Sequence, residues 1–130
     1  MEYRKEGAVK ILIVEDNPQN MKLATTVLQK SGYDTLQAVD ADSGIMIARQ
    51  ELPDLILMDI QLPGMDGLTA TKLLKGDRLT SDIPVIALTA FAMKGDRERI
   101  IEAGCDDYVS KPINYKEFLV TVARWLPPEA

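Results

Sequence analysis

The sequence predicts an α/β domain: a doubly wound sheet of five parallel strands in the order 2-1-3-4-5, with five helices. Three observations lead there. Short apolar runs recur along the chain, ILIV, LILM, VIAL and the briefer YVS. Strands this short and apolar on both faces are interior parallel strands covered by helices on two sides. Amphipathic stretches separate the runs, and regular alternation of strand and helix is the pattern of right-handed crossover units. Finally, each run closes on residues suited to phosphate or metal chemistry: Glu15-Asp16, Asp59, Thr89 and Lys111-Pro112. In an open parallel sheet the carboxyl ends of the strands share one edge, and ligands bind in the crevice outside it.

The elements follow in order. The first strand spans residues 9–14. Asp16-Asn17 followed by Pro18 reads as a helix entry, an Asx cap before a proline in the first turn. That helix runs to about Ser31, with Met21, Ala24, Val27 and Leu28 as its apolar face and Gly32 as its stop. Residues 35–39 form the least apolar strand, which places it at an edge. A second helix covers residues 41–50 and ends before Leu52-Pro53. The third strand, 55–58, leads into the loop IQLPGMDG and a helix over 68–75. After Pro84 the fourth strand occupies 85–88, and MKGDRERIIEAG forms a short, solvated helix ending at Gly104. The fifth strand is 108–110. The last helix begins at Asn114, with Glu117 as its capping-box partner, an apolar face of Phe118, Leu119, Val122, Ala123 and Leu126, and a stop at Pro127-Pro128.

Composition narrows the function. A chain of 130 residues has room for one domain. The expected organisation is a leader over 1–8, the domain over 9–126 and a tail over 127–130. A formal net charge of -5 works against general nucleic-acid binding. The single Cys105 excludes an internal disulfide and reads as a small buried hydrophobe. The absence of histidine excludes Ser-His-Asp and Cys-His catalysis and the usual zinc sites. With no apolar run of membrane length and no signal-peptide core, the expected location is the cytoplasm.

In the order 2-1-3-4-5 the sheet reverses between its first and third strands, which brings Glu15 and Asp16 beside Asp59. Three converging carboxylates repel one another, so the site needs a raised pKa or a divalent cation. Oxygen ligands without histidine or thiolate point to Mg2+, bound so that positions stay open for phosphate oxygens. Each residue alone has an ordinary role: Asp16 as a cap, Asp59 in an Asx turn, Thr89 as a cap, Lys111 as a snorkelling surface lysine. Their shared position at the ends of the strands is what favours chemistry.

The segments ILIVEDN, DLILMDIQLPGMDG, PVIALTA and DYVSKP, in that order, resemble the receiver domain of two-component response regulators over essentially the whole chain. More narrowly, NMKL, DLILMDIQLP and TAFAMKGD are similar to single-domain regulators of cell cycle and polarity. The resemblance implies a flavodoxin-like (CheY-like) fold and a phosphoacceptor regulatory protein rather than an enzyme acting on a separate substrate. It implies that Asp59 accepts a phosphoryl group from the phosphohistidine of a kinase or phosphotransfer protein. It assigns Asp16 and Asp59 as direct Mg2+ ligands, Glu15 as a ligand acting through water, and the Gln61 carbonyl as a further ligand. Thr89 would hydrogen-bond one phosphoryl oxygen and Lys111 would neutralise another, and Pro112 would follow a cis peptide. Thr89, drawn toward the phosphoryl group, would vacate space for Tyr108 and remodel the face of the fourth helix, fifth strand and last helix.

That face, with Phe91, Met93, Tyr108 and Tyr115, is the expected contact for a downstream protein, since only four residues follow the last helix and output has to be a protein contact. The protein is expected as a monomer or weak dimer. Phe91 also departs from the usual receiver pattern, and with Gln61 it flanks the path of an attacking water. A bulky apolar side chain there would slow self-dephosphorylation.

Other readings remain open. The chain could be a receiver cut from a hybrid kinase, although Met1 and the charged leader favour a freestanding product. A haloacid-dehalogenase-type phosphatase would need a second aspartate where Gln61 stands. An FMN carrier would need a phosphate-cradling loop where Glu15-Asp16-Asn17 would repel the phosphate. An unphosphorylated scaffold would have no use for five chemically competent residues.

Overall fold

A computed structural model describes residues 9–90 and 95–126. The chain alternates strand and helix throughout: β1 Lys10–Val14, α1 Pro18–Lys30, β2 Asp34–Ala38, α2 Ala41–Glu51, β3 Leu55–Asp59, α3 Gly67–Lys75, β4 Val85–Thr89, α4 Asp96–Glu102, β5 Asp107–Ser110 and α5 Tyr115–Arg124. All strand pairs are parallel, and the order is β2-β1-β3-β4-β5, as expected.

The alternation of side chains along each strand splits the core into two layers. Ile11, Ile13, Leu55, Leu57, Ile86, Leu88 and Val109 pack against α1 and α5 through Met21, Ala24, Leu28, Phe118 and Val122. Leu12, Val14, Ile56, Met58, Val85 and Ala87 point the other way, onto α2, α3 and α4. β3 and β4 are buried at every position, which is why they read as unbroken apolar runs.

Capping sets where the helices begin. The Asn17 side chain accepts from Asn20 N at 3.0 Å with Pro18 in the first turn. Asp40 and Asp66 cap α2 and α3 through Ser43 N and Thr69 N, each at 2.8 Å. Asn114 accepts from both Lys116 N and Glu117 N.

The expected apolar faces of α1 and α5 need correction at Ala123, which is exposed; Val27, Leu119 and Leu126 are half-buried and pack on the layer of Phe118 and Val122. β2 stops at Ala38, and Val39 is 63% exposed. β2 and β5 are the two edges, and β3 and β4 run one residue further than expected, taking in Asp59 and Thr89.

Candidate functional site

Strand register carries the polar residues to one edge. Val14 is paired with Met58, so Glu15 lies level with Asp59. Asp59 is paired with Leu88 and Thr89 with Ser110, which sets Thr89 and then Lys111 one step further along. The ladder continues past the strand ends through Glu15 N to Ala38 O, Ile60 N to Leu88 O and Lys111 N to Thr89 O, the last at 2.7 Å. The edge is therefore held by backbone bonds at the positions where the chemistry-bearing side chains emerge.

Lys111 Nζ lies 2.8 Å from Glu15 Oε1 and 3.1 Å from Asp59 Oδ2. The other oxygen of each carboxylate is fixed by the backbone N–H two residues on: Asn17 N donates to Glu15 Oε2 at 3.0 Å and Gln61 N to Asp59 Oδ1 at 2.9 Å. Glu15, Asp59 and Thr89 are buried, whereas Asp16 is exposed. Glu15, Asp16 and Asp59 each offer one oxygen, and these oxygens all lie within 4.8 Å of one another. The carboxyl edge thus gathers three carboxylates, two of which share the Lys111 ammonium.

The electrostatics follow from that crowding. Burial raises the Glu15 pKa above the ordinary carboxylate value, against the opposing pull of Lys111 and the Asn17 N–H, with the neighbouring Asp59 carboxylate raising it further. Burial works against the Lys111 ammonium, but Glu15 and Asp59 outweigh it and the Lys111 pKa is raised. The donor set is all oxygen, anionic, and open to solvent at Asp16, as a small hard divalent cation requires.

The structure brings Glu15, Asp16, Asp59 and Lys111 together, with Thr89 closing the adjoining strand. Gln61 is exposed and reaches Asp59 through its backbone N–H. The Lys111–Pro112 peptide is cis, as the resemblance implied. Tyr108 is paired with Ala87, two residues before Thr89, so Tyr108 and Thr89 project from the same face of the sheet. Tyr108 stands 36% exposed, and Tyr115 is exposed at the start of α5. Phe91 and Met93 lie outside the described residues.

Gly67 escaped the reading of the sequence. A Cβ there would stand 2.2 Å from the Asp59 carbonyl oxygen and 2.7 Å from Ile60 Cα, while Gly67 N donates to Ile60 O at 3.2 Å. Only glycine lets α3 begin directly against the backbone of Asp59. Its signal was the Asp-Gly pair that ends the loop IQLPGMDG.

Comparison with known proteins agrees with this geometry. Residues 11–123 match the response regulator receiver domain. The polar-differentiation response regulator DivK of Brucella ovis is 51% identical over 116 residues, spanning 89% of this chain and 94% of the relative. The receiver domain of a sensor histidine kinase from Pseudomonas aeruginosa, described with a magnesium ion coordinated in its active-site cleft, superposes with a TM-score of 0.85 at 38% identity, covering 92% of this chain and 98% of that one. A response regulator from Chloroflexus aurantiacus, described as putative, superposes with a TM-score of 0.87 at 29% identity, over 92% and 98% of the two chains. The chain belongs to the response regulator receiver family.

Proposed function

We propose that Asp59 is the phosphoacceptor of a two-component phosphorelay and that phosphorylation there controls binding to a downstream protein. The observation that carries this reading is the buried Asp59 carboxylate, held by Gln61 N and Lys111 Nζ at an edge it shares with Glu15 and Asp16. An Asp59 oxygen attacks the phosphorus of a phosphohistidine on a sensor kinase or phosphotransfer protein. The P–N bond breaks, the electron pair and then a proton go to the departing imidazole, and an acyl phosphate remains. Such a transfer needs positioning and charge neutralisation more than covalent help.

Glu15, Asp16, Asp59 and the Gln61 carbonyl would hold Mg2+, which when bound supplies positive charge against the incoming phosphoryl oxygens. Lys111 neutralises one phosphoryl oxygen, and the Thr89 hydroxyl donates to another. As Thr89 is drawn in, Tyr108 on the same sheet face follows into the space behind it. The output is then the surface of α4, β5 and α5. Similarity to the polar-differentiation regulators supports a role in cell-cycle or polarity control. Among the described residues no helix is long and apolar enough to cross a membrane, which fits a cytoplasmic relay.

The test is incubation with Mg2+ and a small acyl-phosphate donor, read by intact mass. One added phosphoryl group that requires Mg2+ and is lost in Asp59→Asn is expected. An adduct of equal yield in Asp59→Asn would overturn the assignment. Tyr108→Ala should retain the adduct and lose phosphorylation-dependent partner binding.

A further inference from the structure

The far end of β5 carries a second constellation that phosphoryl chemistry does not use. Asp107 opens this edge strand, and strand alternation turns its side chain to the same face as Val109, toward α5. Its Oδ2 accepts the indole Nε1 of Trp125 at 2.8 Å and Arg124 Nη1 at 3.2 Å, while its Oδ1 accepts the backbone N–H of Tyr108 at 2.8 Å. Trp125 is the C-cap residue of α5, its own N–H closing the last turn onto Val122 O, and its ring is half-buried against the Phe118 and Val122 layer. One carboxylate thus joins the Tyr108 backbone to the closing turn of α5.

We propose that Asp107 and Trp125 form a latch that fixes α5 relative to the strand bearing Tyr108, so that a shift of β5 is carried into the α5 surface. Two features make the latch specific. β5 has only four residues and a single strand neighbour, so its ladder holds it weakly and side-chain ties count for more. Its two ends are tied to different things: Lys111, just beyond the carboxyl end, to Glu15 and Asp59, and Asp107, at the amino end, to α5. A pull on Lys111 or Tyr108 is resisted and redirected at Asp107, where the exposed Tyr115 and Val120 of α5 are the surface that moves. Asp107 and Trp125 touch none of the phosphoryl-transfer residues, so they are positioning residues for output. The consequence for signalling rests on the phosphoacceptor reading above; the latch itself does not.

Hydrogen exchange on the unphosphorylated full chain tests it. Trp125→Phe keeps an aromatic ring against the Phe118 and Val122 layer and removes the indole N–H. It should speed exchange of the Leu126 amide and also of the Tyr108 amide by about tenfold, the scale expected for losing one hydrogen bond to a charged group. Asp107→Ala should do the same at Leu126. At Leu126 the double variant should be no worse than Asp107→Ala alone, because that change already removes the bond lost in Trp125→Phe. Acyl-phosphate uptake should stay within about twofold of the unsubstituted chain in each, well inside what loss of a group acting on the transferring phosphoryl would cause. Additive effects at Leu126, or a Trp125→Phe effect confined to α5 with Tyr108 unchanged, would overturn the latch. Failure of uptake in the unsubstituted chain would count against the phosphoacceptor reading and leave the exchange result standing.

Discussion

The two edges of the sheet are both rich in carboxylates, yet they are built in opposite ways. At the amino edge Asp54, Asp106 and Asp107 are each matched by donors of the fold. Asp54 Oδ2 accepts Lys10 N at 2.9 Å. Asp106 Oδ2 accepts Val85 N at 2.8 Å and Lys75 Nζ at 2.9 Å, and that same ammonium donates to Ile83 O. Asp107 is shared among Trp125, Arg124 and Tyr108 N. At the carboxyl edge Glu15 and Asp59 share Lys111, and Asp16 adds a third carboxylate within 4.8 Å of them. A matched acid is structural, because its lone pairs are spent on the fold. A surplus of buried negative charge costs stability and is kept where a cation or a reacting group completes it.

The largest expected effect comes from removing the Lys111 ammonium at the carboxyl edge. Lys111→Met should slow phosphoryl uptake by about a hundredfold or more, the scale seen when one preorganised charge donor is removed from a transition state. Stopped uptake assays on both chains check it; an unchanged rate would place Lys111 in a purely structural role. Gly67→Ala should be next. With a Cβ 2.2 Å from the Asp59 carbonyl oxygen, the turn has to move, at a cost of about 1–3 kcal/mol in denaturant melts. Phosphoryl uptake should fall as well, because the shifted peptide carries the acceptor.

Asp106→Ala, at the matched edge, sharpens the contrast. It removes the Lys75 ion pair, leaves the Val85 N–H without its acceptor, and should cost about 1–3 kcal/mol of stability while leaving uptake per folded molecule unchanged. A loss of uptake at full folding would break the division between the edges.

The smallest effect is at Glu15, and its sign is instructive. Its folded pKa is raised above 4.5, so the fold disfavours the ionised form even with Lys111 beside it. Below 4.5 the group is protonated in both states and costs nothing; as pH rises through the raised folded value the penalty sets in. Without Mg2+, Glu15→Gln should therefore melt higher than the unsubstituted chain at neutral pH, with the gap closing toward acid. Lys111 runs the other way: its raised pKa stabilises the fold fully below 10.5, and that contribution is lost as pH climbs through the folded value. A lower melting temperature for Glu15→Gln at neutral pH would show that the ion pair outweighs burial.

Much of this was legible before the structure. Interior parallel strands are apolar on both faces, so LILM and VIAL, short and bounded by turn signals, read as such strands, and residues that end such runs emerge at the ligand edge. Glu15, Asp59, Thr89 and Lys111 were found for that reason. What escaped depends on contacts between residues distant in sequence. Gly67 matters because of where the Asp59 carbonyl lies, and Asp107 because Trp125 returns to meet it. Thr25 is buried in the apolar face of α1 because Gln37 Nε2 donates to its hydroxyl at 3.0 Å, a pairing no local pattern announces. Ala123 misled in the opposite direction: periodicity put it on the core face, but α5 meets the sheet along the narrower line of Phe118 and Val122 and leaves it exposed.

The central claim is that the unmatched edge, and not the matched one, is the cation and phosphoryl site. Calorimetric titration of Mg2+ into the unsubstituted chain, Asp16→Asn and Asp106→Asn tests it most directly. Binding that is lost or weakened at least about tenfold in Asp16→Asn, and unchanged in Asp106→Asn, is the predicted result. Equal Mg2+ affinity in the unsubstituted chain and Asp16→Asn would contradict the account.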